Sequence, residues 1–171
     1  NGRTMKKALA ILVLLATLFT PDLSSSQTAN LEIELKPIIW GIAQTGKRLG
    51  KLNESLVKAG LQDDSDMPQI SALNAITNSI SETVNFCHWQ IDVLIVLHYV
   101  GNEHKTKFYS DRIRTLKYVI ESVKRRIAII QTFYVHVNNS DILHLIDNAK
   151  KDMRHAIALF EKALAVLTTK K

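Results

Sequence analysis

Apolar side chains recur at alternating steps of three and four residues through the segment DILHLIDNAKKDMRHAIALFEKALAVL, residues 141–167. The repeated positions are Ile142, Ile146, Ala149, Met153, Ala156, Phe160, Ala163 and Leu167. This spacing places them on one side of an α-helix, and helices that pack along one another require such a seam. Large residues alternate with small ones, so a neighbouring helix can approach closely. The segment therefore predicts one long helix of a bundle.

The same spacing occurs three more times upstream, in residues 31–59, 77–98 and 113–137. Turn residues separate the four seams at Gly60 with the acidic run 63–66, at Gly101-Asn102, and at Asn138-Asn139. Ser140 or Asp141 is expected to cap the last helix. Helices joined by such short turns lie antiparallel to their neighbours. We therefore predict an all-α fold, an up-down antiparallel four-helix bundle.

Two stretches of the sequence favour an alternative structure, a β-hairpin of two strands. Residues 91–100 and 127–137 are rich in Val, Ile, Tyr and Phe, and Gly101-Asn102 between them resembles a hairpin turn. Two strands would leave the polar stretch 102–114 as a loop. The seam continues through both stretches, so we predict helices.

The N-terminus has the pattern of a secretion signal. Met5-Lys6-Lys7 precedes an apolar run over residues 8–19, and small serines follow at positions 24 and 26. A membrane span needs about 20 apolar residues, so this run predicts cleavage, after Ser26, rather than an anchor. We predict leader residues and a signal peptide over 1–26 and a single bundle domain over 27–171. The chain is then exported, to a bacterial periplasm or outside the cell.

Composition limits the classes of partner. The formal net charge is +6, from 22 basic and 16 acidic residues. A dedicated nucleic-acid binder usually carries a denser basic stripe, so nucleic acid is not the expected partner. Cys87 is the only cysteine, so no disulfide within the chain can form and the core alone must hold the fold. Its place in the second seam predicts a buried thiol.

No pattern of catalytic, metal-binding or cofactor-binding residues appears. Cys87 and His88 are adjacent, but consecutive helical residues point about 100° apart and do not form a dyad by themselves. No two histidines stand three or four residues apart, and no phosphate loop is present. We therefore expect no enzyme, no metal and no cofactor. The alternative function is a periplasmic carrier or sensor with a ligand between its helices, held by His88, His98 and Tyr134.

The outward positions of the first two helices are apolar. With the seams inside, Ile33 and Trp40 are outermost on the first helix, Trp89 and Val96 on the second, and Val93 extends the set. An exposed apolar patch with two Trp usually marks a partner, a dimer or a membrane surface. The predicted function is a non-enzymatic interaction or structural subunit that docks through this face. A protein partner or a second copy is expected, with a membrane surface as the alternative.

The other two helices carry a predicted basic face, formed by Lys124, Arg125, Arg126, Lys150, Lys151 and Arg154. Runs of this kind are most often solvated, and the competing hypothesis is a specific anionic ligand.

Overall fold

The computed structural model describes residues 25–62, 66–100 and 107–169, and the side-chain surroundings of 33–62, 66–96 and 110–168. Four helices account for almost all of this part of the chain: α1 (Ser25–Gln62), α2 (Met67–Val100), α3 (Lys107–Tyr134) and α4 (Ser140–Thr169). No strand occurs within these ranges. The hairpin alternative is therefore wrong, because 91–100 lies within α2 and most of 127–137 lies within α3. The predicted signal segment covers residues 1–26. Its residues 1–24 lie outside the described residues, as do 63–65, 101–106 and 170–171, whereas Ser25 and Ser26 belong to α1.

The helices pack in a closed ring. Each contacts the next along the chain, and α4 packs back on α1, whereas α1 and α3 lie diagonally opposite. Contacting residues run in opposite order along neighbouring helices, as in antiparallel packing: Gly46 faces Cys87 and Gly60 faces Leu73 across α1 and α2. Arg48 and Asp152 join α1 to α4, and Lys124 and Glu161 join α3 to α4. The four-helix bundle predicted from the seams is confirmed.

The core follows the predicted seams in three of the four helices. In α1 the fully buried seam residues include Leu35, Ile42, Thr45, Leu49 and Leu56. The buried residues of the third and fourth seams are Leu116, Ile120, Val123 and Ile130 in α3, Val137 just after it, and Ile142, Ile146, Ala149, Met153, Ala156, Phe160, Ala163 and Leu167 in α4. Burial of a large aliphatic side chain contributes about 1.5–3 kcal/mol, so these seams supply the main driving force for the fold.

The seam of α2 is shifted by one residue at every second position. Ile80, Cys87 and Leu94 are buried as predicted. Between them, however, Thr83 and Gln90 are buried, whereas the predicted Val84 and Ile91 are only half-buried. Thr83 satisfies its hydroxyl on the carbonyl of Ser79 at 3.0 Å, but within the described residues neither amide atom of Gln90 has a hydrogen-bond partner. Compared with the prediction, α2 is therefore rotated about its own axis, and the side chains predicted to point outward lie nearer to α3.

One aspartate and one asparagine side chain cap two helices at the same end of the bundle. Asp66 accepts the backbone N–H of Gln69 at 3.0 Å at the start of α2. At the start of α4, Asn139 accepts the N–H of Asp141 at 3.0 Å and that of Ile142 at 3.2 Å. The predicted caps Ser140 and Asp141 are therefore wrong by one or two positions, because the helix already begins at Ser140.

Candidate interaction surface

The side of α1 opposite the core carries two large apolar residues in solvent. Trp40 is 66% exposed, and Ile33, seven residues earlier, is 70% exposed. Continuing along the same side are the exposed residues Lys36, Lys47, Lys51, Glu54 and Lys58. Their spacing of three, four or seven keeps all of them on one line along the helix. We call these seven residues the α1 outer face.

The lysines of this face form no ion pair with another described residue. No salt bridge among the described residues uses the ammonium group of Lys36, Lys47, Lys51 or Lys58. The neighbouring Arg48 behaves differently, because its guanidinium donates three hydrogen bonds to the Asp152 carboxylate, at 2.9, 3.0 and 3.1 Å. The hydrogen bond to Asp152 raises the pKa of Arg48. Arg48 therefore ties α1 to α4, and the cations of the α1 outer face are all lysines.

Trp89 lies on another side of the bundle. It is 44% exposed and lines a pocket of about 160 Å³ together with Asp92, Val93, Val96 and Arg112 of α3. The residues of α2 that face α1 include instead Leu73, Cys87 and His88. Trp89 therefore belongs to the α2–α3 groove, and the structure does not join it to Trp40 in one patch.

This placement corrects two predicted interface residues. Val93 is buried and Val96 is half-buried. The reason is the shifted seam of α2: with Thr83 and Gln90 inside, the side chains at 89, 93 and 96 turn toward α3. The prediction that Val93 extends an exposed face is wrong, and of the predicted interface residues Ile33 and Trp40 are left together on the exposed side of α1.

A second apolar cluster, missed by the sequence analysis, lies at the α1–α2 turn. Val57 and Leu61 near the end of α1 and Met67 and Ile70 at the start of α2 are all exposed. Because Gly60 faces Leu73, Leu61 and Ile70 lie at the same level of the two helices. The spacing of the seam shows which side of one helix points outward, but not which residues of two helices lie close together. The available signal was the presence of four apolar residues on either side of one predicted turn.

The predicted basic face is partly neutralised. Lys124 forms ion pairs with Glu121 at 3.0 Å and Glu161 at 3.3 Å, which raise its pKa. Lys150 is buried, so its assignment to an exposed face is wrong. Arg125, Lys151 and Arg154 are exposed, and Arg126 is half-buried.

Lys150 belongs to a cluster with Tyr134 and Asp147 near the end of α3. The ammonium group donates to Asp147 Oδ1 at 3.0 Å and lies 4.5 Å from the centre of the Tyr134 ring. The Tyr134 hydroxyl donates to Asp147 Oδ2 at 2.9 Å. The bond from Lys150 lowers the pKa of Asp147, while the bond to Asp147 raises the pKa of Tyr134. Tyr134 belongs to α3, whereas Asp147 and Lys150 belong to α4. The cluster therefore links the two helices, and we call it the α3–α4 clasp.

The residues proposed for a ligand between the helices do not converge. His88 is exposed on α2, whereas Tyr134 is engaged with Asp147. Gln69 near the start of α2 accepts a hydrogen bond from Asn138 near the end of α3. At 1.5 Å per residue, His88 therefore lies roughly 20 Å along the bundle axis from Tyr134. His98 lies outside the residues whose side chains are described. Among the described residues no group of three or more His, Cys, Asp or Glu side chains is arranged to hold a metal ion.

The Cys87 thiol is buried, as predicted. Burial raises its pKa to about 12, because the thiolate loses its hydration in the core. The thiolate is the reactive form, so the thiol is a poor nucleophile at neutral pH.

No described helix has the length and apolar composition needed to cross a membrane. Comparison with known protein families, with curated proteins and with solved structures finds no significant match.

Proposed function

We propose that this chain is a non-enzymatic interaction subunit that docks through the α1 outer face, and that it is exported. The observation that carries the docking role is the exposure of Trp40 at the position of α1 farthest from the core, one heptad after an equally exposed Ile33. The signal-like segment over residues 1–26 supports export.

Trp40 and Ile33 are poorly explained by folding. A side chain opposite the core gains little burial when the bundle forms, so a large apolar residue there does not stabilise it. Trp is also the residue type most enriched where binding energy concentrates at interfaces. These two side chains therefore fit a role in contact with something outside the bundle.

The docking edge is narrower than the sequence suggested. Trp89 lines the α2–α3 groove and Val93 is buried, so α2 does not widen the face around Trp40. What accompanies Trp40 and Ile33 is a line of lysines on the same helix. The proposed docking element is one helix, α1, held rigid by its packing on α2 and α4.

The experiment is site-specific photo-crosslinking in cells that naturally produce the chain. A benzophenone side chain is placed at position 40 and, as the matched control, at position 118, because Tyr118 on α3 is similarly exposed at 62%. Mass spectrometry of the labelled peptides then counts adducts of any chemistry. We expect adducts at position 40 well above those at position 118. Equal yields at the two positions would contradict docking through α1.

A second comparison tests dependence on the apolar pair. Ile33→Gln with Trp40→Gln removes two side chains exposed at 70% and 66%, and Val135→Gln with Tyr118→Gln removes two exposed at 70% and 62%. The second pair lies on or just after α3, across the bundle. For this comparison the benzophenone side chain is placed at position 36, which is on the α1 outer face and is not one of the four substituted positions. The yield of adducts should fall in the first double variant and persist in the second. Loss in both variants, or in neither, would argue against the proposal.

A further inference from the structure

We infer that the surface on which the α1 outer face docks is an anionic lipid bilayer. This inference rests on the proposed function and names the partner class of the same face. The charge and chemistry of the seven residues carry it.

The face has the composition of a helix that lies in a membrane interface. Four lysines and one glutamate share a line with Trp40 and Ile33, and all seven residues are exposed. Interfacial helices combine Trp or aliphatic side chains, which enter the boundary of the acyl chains, with lysines that meet the phosphates. Trp is also enriched at the depth of the lipid headgroups. The lysines here are free to meet anions, because they form no ion pairs with other described residues.

The kind of cation separates a bilayer from a protein partner. Protein interfaces are enriched in Arg and depleted of Lys near their centres. On α1 the arginine, Arg48, is turned to Asp152 and the cations that face outward are lysines. A mobile ammonium on a long aliphatic stem can reach up to headgroups while its stem follows the apolar side chains. This pattern favours lipid over a folded protein partner.

The shape of the bundle fits an approach by one edge. From Ile33 to Lys58 the line runs about 38 Å along a helix, at 1.5 Å per residue. Because α3 is diagonally opposite α1, the cations of α3 point away when α1 lies on a surface. Binding should therefore depend on lysines of α1 and be insensitive to basic residues of α3.

The experiment measures co-sedimentation with vesicles of phosphatidylcholine alone and of phosphatidylcholine mixed with phosphatidylglycerol. The full chain and a chain that begins at Ser25, the first residue of α1, are both used, since the apolar stretch over 8–19 can itself bind lipid. Circular dichroism checks that every variant has the same helix content. We expect binding of both chains to the mixed vesicles and little binding to phosphatidylcholine alone, with the affinity falling as salt is raised.

Charge variants test the lysines. A lysine close to an anionic surface strengthens binding about five-fold, so Lys47→Gln with Lys51→Gln should weaken it about 25-fold. The matched control, Lys117→Gln with Arg125→Gln, removes two exposed cations from α3 and should change binding less than about two-fold. Equal losses in the two double variants would overturn the inference, since binding would then follow net charge alone.

The fluorescence of Trp40 reports whether the α1 outer face inserts into the bilayer. In the Trp89→Phe variant Trp40 is the only tryptophan, so its emission should shift to the blue on the mixed vesicles and be quenched by brominated acyl chains. Trp40→Gln should weaken binding about ten-fold, because most of one indole ring leaves the lipid. Emission that is unchanged on vesicles that do bind would overturn the assignment of this face.

Soluble polyanions and protein partners give distinct outcomes. Heparin or DNA fragments that bind as tightly as mixed vesicles, with Trp40 unquenched, would refute the lipid inference. So would protein adducts at position 40 from a chain that binds no vesicle, although the proposed docking function would then stand. The absence of both vesicle binding and adducts at position 40 would remove the function and the inference together.

Discussion

Two glycines one turn apart in α1 should respond oppositely to the same substitution. A Cβ added at Gly46 would lie 2.9 Å from Cys87 Cβ of α2, whereas a Cβ added at Gly50 meets nothing within 4 Å. Replacing Gly by Ala inside a helix stabilises it by about 1 kcal/mol. At Gly50 that gain is unopposed. At Gly46 it is opposed by overpacking, which costs about 1–3 kcal/mol when neighbouring helices must move apart.

The difference between the two variants isolates the steric term. Both share the propensity gain, so Gly50→Ala should be more stable than Gly46→Ala by about 1–3 kcal/mol. Urea denaturation followed by circular dichroism measures both free energies of unfolding, and the denaturant slope should be the same for both. Equal stabilities would refute the close approach of α1 to α2.

A third variant checks the identity of the contact. Cys87→Ala keeps the Cβ and should not relieve Gly46→Ala, whereas Cys87→Gly removes the Cβ. The double variant Gly46→Ala with Cys87→Gly should therefore lose less free energy of unfolding than the two single variants lose when their losses are added together. Strict additivity would place the two residues out of contact.

Three further predictions concern the core and the α3–α4 clasp. The Cys87 thiol, with its pKa raised to about 12, should react with a disulfide reagent at neutral pH only at the rate of unfolding, and complete labelling of the folded chain on mixing would contradict its burial. The pKa of Asp147 is lowered from 3.8 and that of Tyr134 is raised from 10.0. Asp147 therefore contributes stability that is present above about pH 4 and is lost as the pH falls through its lowered pKa. Tyr134 contributes stability present below about pH 10 and lost as the pH rises through its raised pKa. Denaturation across the pH range should show both losses. Tyr134→Phe should reduce the alkaline loss but not abolish it, because the pKa values of Cys87 and Lys124 are raised as well. Gln90→Met should raise the free energy of unfolding by about 1–3 kcal/mol, because it removes two buried amide atoms that have no partner in the described part of the chain; a lower stability would mean that this amide is hydrogen-bonded.

The sequence predicted the bundle because three helices have one strongly apolar side. In α1, Trp40, Lys47 and Lys51 lie opposite Ile42 and Leu49, so the period fixes which residues point inward. Packing then adds what the period leaves open, such as the close contact at Gly46, which depends on the position of a second helix.

The register of α2 was predicted incorrectly because that helix is apolar on several sides. Val84 and Ile91 are as apolar as a core position requires, so they outweighed Thr83 and Gln90 in the seam. A different signal was available: the polar residues Asn78, Asn85 and Asp92 recur at seven-residue intervals and are all exposed. Taking that polar line as the outer side would have placed Trp89 beside α3.

The α1 outer face also permits a test that separates docking from folding. Ile33 and Trp40 are exposed in the bundle, and surface substitutions away from special features usually change stability by less than about 0.5 kcal/mol. Ile33→Gln with Trp40→Gln should therefore unfold at the same urea concentration as the unmodified chain while losing its attachment. If the double variant were destabilised by more than about 1 kcal/mol, both side chains would have to be part of the packed structure, and their exposure could no longer argue for docking.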